Sequence, residues 1–275
     1  MLQLTPLFFF ALTIAIGILA GFLGGLLGIG GGIIIVPALI LLFDQFQLFP
    51  SGSASLIAVA TSLSCIIFTS LGATIQQMRS NMVDWDIAKV FLVPTILGGL
   101  ICGFVAIQFS PAAFRIGIAI FLIVISSIMF SDWKPNPSHT LPTRVIGAML
   151  GILAGCISGL AGIGGGNIVV PILTYYNRPI HRAIATASTL GIPIALAGTI
   201  GYFLAAKSKP LVIPDANIMG YVYIPAFVLI SLGTFVAAPI GVKVAHRADP
   251  KKLRKVFSIL LLIVGIRLFL ASLNF

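Results

Sequence analysis

Three consecutive glycines occur twice in this chain, as Gly30-Gly31-Gly32 and Gly164-Gly165-Gly166, and a short apolar stretch follows each run. Such runs suit one kind of chemistry. Glycine lets the backbone leave helical geometry and come close to a ligand. A helix beginning directly afterwards offers unpaired N–H groups and a positive dipole end, an arrangement that favours an anion. Pro37 and Pro171 lie shortly after the two runs and loosen the hydrogen-bond ladder near those helix starts. Asn167 is an amide inside an otherwise apolar stretch, where the equivalent residue of the first run is Ile33. A buried amide needs partners, so Asn167 either bonds the glycine backbone or faces a ligand. Thr61, Ser62 and Ser64 recur as Thr186, Ser188 and Thr189. Such hydroxyls either bond their own helix backbone or line a polar path. The candidate binding set is Gly30, Gly31, Gly32, Thr61, Ser62, Gly164, Gly165, Gly166, Asn167, Thr186 and Ser188.

Catalysis has little to work with. The 6 acidic residues are all Asp, and they fall in loops or at the edges of apolar runs, as do His139, His181 and His246. No paired carboxylates, metal-ligand cluster or Ser/His/Asp arrangement emerges, so neither an enzyme nor a cofactor is expected. No Gly-Lys-Ser/Thr follows the glycine runs, which excludes a phosphate loop. Without an acidic residue inside a span, a carboxylate proton relay is not expected. Cys65, Cys102 and Cys156 sit in apolar runs and read as buried thiols rather than a disulfide framework. Tyr175, Tyr176 and Tyr202, near the ends of apolar runs, read as interfacial anchors.

The elements that must hold these residues follow from composition. Hydrophobic residues make up 59% of the 275 and charged residues only 8%, against about 25% charged in a soluble domain. Uncharged stretches such as Met1–Phe43, Gln45–Met78 and Val145–Asn177 are long enough for one or two helices of about 20 residues. The chain is therefore expected to be an all-α integral membrane protein. Net charge is +10, but the basic residues sit in short loops between apolar runs. That is the positive-inside pattern, so nucleic acid is not an expected partner. The lipid bilayer and a small anionic substrate are, and a homo-oligomer is compatible. No charged segment precedes the first apolar run, which is too long for a signal-peptide core.

The chain also repeats itself. Gly17-Ile-Leu-Ala-Gly21 recurs as Gly151-Ile-Leu-Ala-Gly155, and Gly28-Ile-Gly-Gly-Gly32 as Gly162-Ile-Gly-Gly-Gly166, at a common offset of 134 residues (17 to 151). Ala58-Val-Ala-Thr61 matches Ala183-Ile-Ala-Thr186, and Val93-Pro94 matches Ile224-Pro225. The expected units are a first membrane repeat over 1–130, a linker over 131–143 and a second repeat over 144–275. Each holds about five apolar segments: 6–27, 31–43, 54–75, 89–109 and 112–130, then 145–161, 165–177, 183–206, 218–242 and 254–272. With ten segments, one side collects Arg79, Lys89, Lys134, Arg144, Arg178, Arg182 and the six basic residues from Lys243 to Lys255. The other side collects Arg115, Lys207 and Lys209. The crowded side is the expected cytoplasmic one, leaving both termini outside. Five segments per half make the second copy upside down relative to the first. The expectation is therefore two inverted repeats carrying glycine-broken helical hairpins, a recurrent transporter architecture whose paired breaks mark the binding site. Gly17/Gly21/Gly25 and Gly151/Gly155/Gly159 have the four-residue spacing of close helix packing. No Lys or Arg falls inside the glycine-containing spans, so any positive field there must come from helix ends.

At these residues the chain resembles the TauE/SafE sulfite exporter family, also called the TSUP family. The resemblance rests on Gly21-Phe-Leu-Gly-Gly-Leu-Leu-Gly-Ile-Gly-Gly-Gly32 with Val36-Pro37, its second copy Gly155–Pro171, and the closing stretch Leu253–Arg267. It implies a multi-pass transporter of the bacterial inner membrane, carrying small sulfur-containing anions such as sulfite or organosulfonates. A membrane scaffold or assembly subunit without transport of its own is the competing expectation.

Overall fold

The structure is a computed structural model, and it describes residues 6–50, 52–131, 143–211, 217–245 and 250–273. The linker expected over 131–143 falls almost wholly outside the described residues. Among the described residues ten helices follow one another: α1 (Pro6–Leu27), α2 (Gly32–Phe46), α3 (Ala54–Arg79), α4 (Trp85–Ala106) and α5 (Pro111–Phe130), then α6 (Arg144–Ala161), α7 (Gly166–Tyr175), α8 (Ile180–Ser208), α9 (Ile224–Ala245) and α10 (Pro250–Leu273). The apolar segments of the sequence reappear within a few residues at each end, except that the helix expected over 218–242 begins only at Ile224. A two-residue antiparallel pair, β1 (Ile218–Met219) with β2 (Val222–Tyr223), precedes α9; no strand was expected there.

Among the described residues six helices are long and apolar enough to cross a membrane. Helix α2 has 15 residues and α7 only 10. At about 1.5 Å per residue, α7 covers roughly half of a hydrocarbon core about 30 Å thick. Helices α1 and α2 form a hairpin: the ring of Phe9 near the start of α1 lies 5.3 Å from that of Phe46 at the end of α2. Its tip is Gly28–Gly31, with Gly28, Gly30 and Gly31 at φ 70°, 75° and 77°, a left-handed backbone that costs residues with a Cβ about 1–2 kcal/mol. Helices α6 and α7 form the second hairpin, turned by Gly162 at φ 66°.

Small residues bring the helices together. A Cβ on Gly17 would come within 2.8 Å of the Ile230 carbonyl of α9, and one on Gly21 within 2.5 Å of the Thr234 Cα. Gly25 abuts the Ala238 backbone of the same helix. In the second half, Gly151 faces Pro94, Gly155 the Thr95 carbonyl and Gly159 the Cys102 side chain, all on α4. Both stripes serve the packing role that their spacing suggested. Residue numbers rise together along both contacts, so α1 runs parallel to α9 and α6 parallel to α4. Helices α3 and α8 run antiparallel, with Ser70 beside Gly191 and Leu63 beside Gly198. So do α5 and α10, where the Ser126 hydroxyl donates to the Ser258 carbonyl and Gly265 lies against Leu122 and Ile123. Helix α3 also packs on α9, as α8 does on α4. The contacts of α1 and α3 with α9 thus parallel those of α6 and α8 with α4.

One sequence match needs correcting. Pro94 lies mid-helix in α4 beside Gly151, whereas Pro225 is the second residue of α9. The packing instead aligns Thr95 with Thr234, each facing a glycine of the equivalent stripe. Helix α3 is enclosed along most of its length, while α1, α4, α5 and α9 leave more than half of their apolar windows uncovered. Leu19, Val93, Leu232 and Val236 are exposed, an apolar belt of the kind a bilayer covers.

Candidate functional site

The two glycine tips meet deep in the bundle. A Cβ on Gly30 would lie 2.9 Å from the Gly164 Cα, and both glycines sit against Ile66, near the midpoint of α3. On either side of this contact, Gly32 abuts the Gly162 carbonyl and Gly166 the Gly28 carbonyl. The three contacts pair residues of one hairpin with those of the other, so the hairpins touch tip to tip with no layer of side chains between them. The sequence expectation of an anion held between the tips needs this amendment: Gly30 and Gly164 leave no room, and a ligand must seat beside them or enter as they part.

The start of each short helix is open in hydrogen-bonding terms. The first intrahelical bonds of α2 run from Ile34 and Ile35 to Gly31, and those of α7 from Ile168 and Val169 to Gly165. Among the described residues no acceptor meets the amides of Gly31, Gly32 and Ile33, or of Gly165, Gly166 and Asn167. All but Asn167 are buried residues, and Asn167 is largely covered. Its Nδ2 is enclosed and has no partner among the described residues. An unmet buried donor costs about 1–3 kcal/mol, so seven around one tip contact are a concentrated demand for an acceptor.

The hydroxyls divide into different roles. Thr61 Oγ1 accepts from the Tyr223 amide at 2.9 Å and Thr186 Oγ1 accepts from the Asp84 amide at 2.9 Å. Tyr223 and Asp84 immediately precede α9 and α4, so the two repeat-related threonines hold two equivalent helix starts. Ser62 donates to the Gly162 carbonyl at 2.8 Å and ties α3 to the second tip. Ser188 bonds the Ile184 carbonyl of its own helix. Thr61, Ser62 and Thr186 are thus brought to the tips or to the helix starts, while Ser188 is occupied locally.

Two ion pairs were not legible in the sequence. Arg115 of α5, 5% exposed, donates to Asp44 near the end of α2 at 2.6 Å. Arg178, just after α7, reaches Asp84 at 3.2 Å. These partners stand 71 and 94 positions apart, and no spacing rule links them. Replacing Asp44 with Asn removes the carboxylate that the enclosed Arg115 guanidinium holds. Since the Asp44 side chain is 36% exposed, the cost falls below that of a fully buried pair, at about 2 kcal/mol. Melting in detergent checks this: Asp44→Asn lowers the transition, whereas Asp86→Asn, exposed in the first turn of α4, leaves it nearly unchanged.

Tyr202 corrects another expectation. Its side chain is 0% exposed, and its hydroxyl lies 3.4 Å from the Gly159 carbonyl, so it is a core residue and not a lipid-facing anchor. A cavity of about 200 Å³ lies between α5 and α6, lined by Phe109, Phe114, Gly117, Phe121 and Ile157. It is apolar, and its Leu160 and Ala161 directly precede the Gly162 turn. Among the described residues no group of His, Cys, Asp or Glu could hold a metal ion.

The family model for the sulfite exporter TauE/SafE matches residues 13–268. A probable membrane transporter protein of Haemophilus influenzae is 29% identical, over 95% of this chain and 98% of its own length. One from Methanocaldococcus jannaschii is 29% identical, over 94% and 95%. The probable membrane transporter protein YunE of Bacillus subtilis is 25% identical, over 94% and 97%. No solved structure matches the chain.

Proposed function

We propose that this chain, which belongs to the TauE/SafE sulfite exporter family, is a secondary transporter or facilitator that exports a small sulfur-containing anion such as sulfite or an organosulfonate. The observation that carries this reading is the convergence of two helix starts whose buried amides have no acceptor among the described residues. Each helix end is equivalent to roughly half a positive charge. Two such ends match one negative charge without the desolvation cost of a buried lysine, and they hold it weakly enough for release. The binding set is Gly30, Gly31, Gly32, Gly164, Gly165, Gly166 and Asn167, with Thr61, Ser62, Thr186 and Ser188 alongside. The tip-to-tip contact of Gly30 and Gly164 is then a closed state of the pathway.

Alternation follows from an inverted repeat of residues 1–130 and 144–275. The antiparallel course of α3 against α8 and of α5 against α10 supports that arrangement. The face bearing Arg79, Lys89, Arg178 and Arg182 is the cytoplasmic face of a bacterial inner membrane, with both termini outside. A reporter fused after Phe275 that is active only in the cytoplasm would overturn this orientation.

Flux assays decide the activity. Proteoliposomes carrying the purified chain move sulfite or an organosulfonate down its gradient faster than empty vesicles. Absence of flux for every sulfur oxyanion and organosulfonate tested sinks the proposal in favour of a non-transporting scaffold, for which glycine packing alone is sufficient.

A further inference from the structure

We infer that Arg178 is the docking residue for the transported anion at one mouth of the pathway, and that Asp84 is the internal carboxylate the anion displaces there. This rests on the transport reading above.

The ends of the two short helices occupy matching places in the two halves, and the offset of 134 residues makes Asp44 and Arg178 counterparts (44 to 178). The starts of α4 and α9 are counterparts too, because Thr186 holds the Asp84 amide as Thr61 holds the Tyr223 amide. At each mouth the end of a short helix meets the start of a long one, but the chemistry of the closure differs. At the end of α2, Tyr223 packs edge-on against Phe43 at 5.7 Å and Phe49 at 5.4 Å. The charge at that mouth is the carboxylate of Asp44, while its partner Arg115 is enclosed and 5% exposed. At the end of α7 the closure is the ion pair of Arg178 with Asp84. There the exposure is reversed: the Arg178 side chain is 32% exposed and Asp84 only 12%.

An anion approaching the α7 mouth therefore meets an accessible guanidinium, and one approaching the α2 mouth meets an accessible carboxylate. A guanidinium pairs bidentately with planar or tetrahedral oxyanions as it does with a carboxylate, so an oxyanion substitutes for Asp84 without leaving Arg178 unpaired. The substitution unties the end of α7 from the start of α4 and frees the tip at Gly164 to move away from Gly30. At the α2 mouth the exposed partner of the ion pair is a carboxylate, Asp44, which offers the same anion no such replacement. The pathway thus captures at the Arg178 mouth and releases at the Asp44 mouth.

The two partners of the ion pair make opposite predictions. The test is sulfite influx into proteoliposomes, measured against concentration for the wild type, Arg178→Gln, Arg178→Lys and Asp84→Asn. Arg178→Gln raises the half-saturating concentration about tenfold, the loss expected for one charge-assisted hydrogen bond. Arg178→Lys, which keeps charge but not the bidentate fork, falls between it and the wild type. Asp84→Asn lowers the half-saturating concentration, because the competing carboxylate is gone. A purely structural ion pair moves both partners the same way. Half-saturation shifting in the same direction for Arg178→Gln and Asp84→Asn, or in neither, overturns the inference while leaving the transport reading intact. A wild type inert to every sulfur anion sinks both. Detergent melting gives a second readout for a variant that reconstitutes poorly: sulfite raises the transition of the wild type, raises that of Asp84→Asn more, and leaves Arg178→Gln unmoved. Equal sulfite stabilisation of Arg178→Gln and the wild type also overturns the inference.

Discussion

Alanine at Gly32 or at Gly166 abolishes transport and leaves little folded protein. A methyl group at Gly32 would land on the Gly162 carbonyl and come within 2.9 Å of the Ile163 Cα. One at Gly166 would land on the Gly28 carbonyl, 2.6 Å from the Ile29 Cα. Every obstructing atom except the end of Ile66 is backbone of the opposite hairpin, so no rotamer change relieves the clash. Neither glycine has a positive φ, and the effect is one of space alone. Overpacking of this kind costs typically 1–3 kcal/mol and more where backbone must move. The tips must part, and the open amides of both helix starts move with them. Gly117→Ala on α5 is the control, because nothing lies within 4 Å of its added methyl group. Folded yield, melting in detergent and flux are the measurements. Gly166→Ala purifying with wild-type melting and flux would falsify the tip-to-tip contact.

Gly31→Ala is expected to be severe and Gly165→Ala mild, although the two glycines are repeat counterparts. Gly31 stands at φ 77°, and an added Cβ would meet the Ala20 carbonyl oxygen at 2.6 Å. The left-handed backbone and the backbone clash together cost about 3 kcal/mol or more. Gly165 stands at φ −46°, within the ordinary helical region, and its added Cβ meets the Cδ1 of Ile194, the far end of a flexible side chain. That cost is about 1 kcal/mol or less, given the gain in helix propensity from glycine to alanine. Gly17 faces the Ile230 backbone at 2.8–2.9 Å and Gly151 the Pro94 ring at 2.6 Å, so alanine at either costs more stability than at Gly165. Parallel melting curves of the four alanine variants check the order. Equal loss at Gly31 and Gly165 would show that the two tips share one conformation.

The tip contact also explains why three glycines stand in a row. Unwinding needs positive φ at Gly28, Gly30 and Gly31. Close approach needs the absence of a Cβ at Gly30, Gly32, Gly164 and Gly166. Both demands are met within five residues in the first half. In the second, the left-handed turn is made by Gly162, and the glycines after it serve contact.

The membrane class, the number of helices and most of their bounds were legible in the sequence, because a bilayer demands about 20 apolar residues per span and composition alone reports that. The duplication was legible as well, through an offset that repeats. The packing stripes of α1 and α6 could be read because four-residue spacing puts glycines on one helix face. Which helix each stripe meets could not, since Ile230, Thr234 and Ala238 carry no mark of their partners. The glycine-broken helix starts were legible, but not the contact between them. Local sequence specifies a helix start after glycine, while the meeting of Gly30 with Gly164 depends on how two hairpins enter the same bundle. The same limit hid the Arg115–Asp44 and Arg178–Asp84 pairs, the burial of Tyr202 and the capping roles of Thr61 and Thr186. Each of these joins residues on or beside separate elements, and only the packing of those elements sets the distance between them.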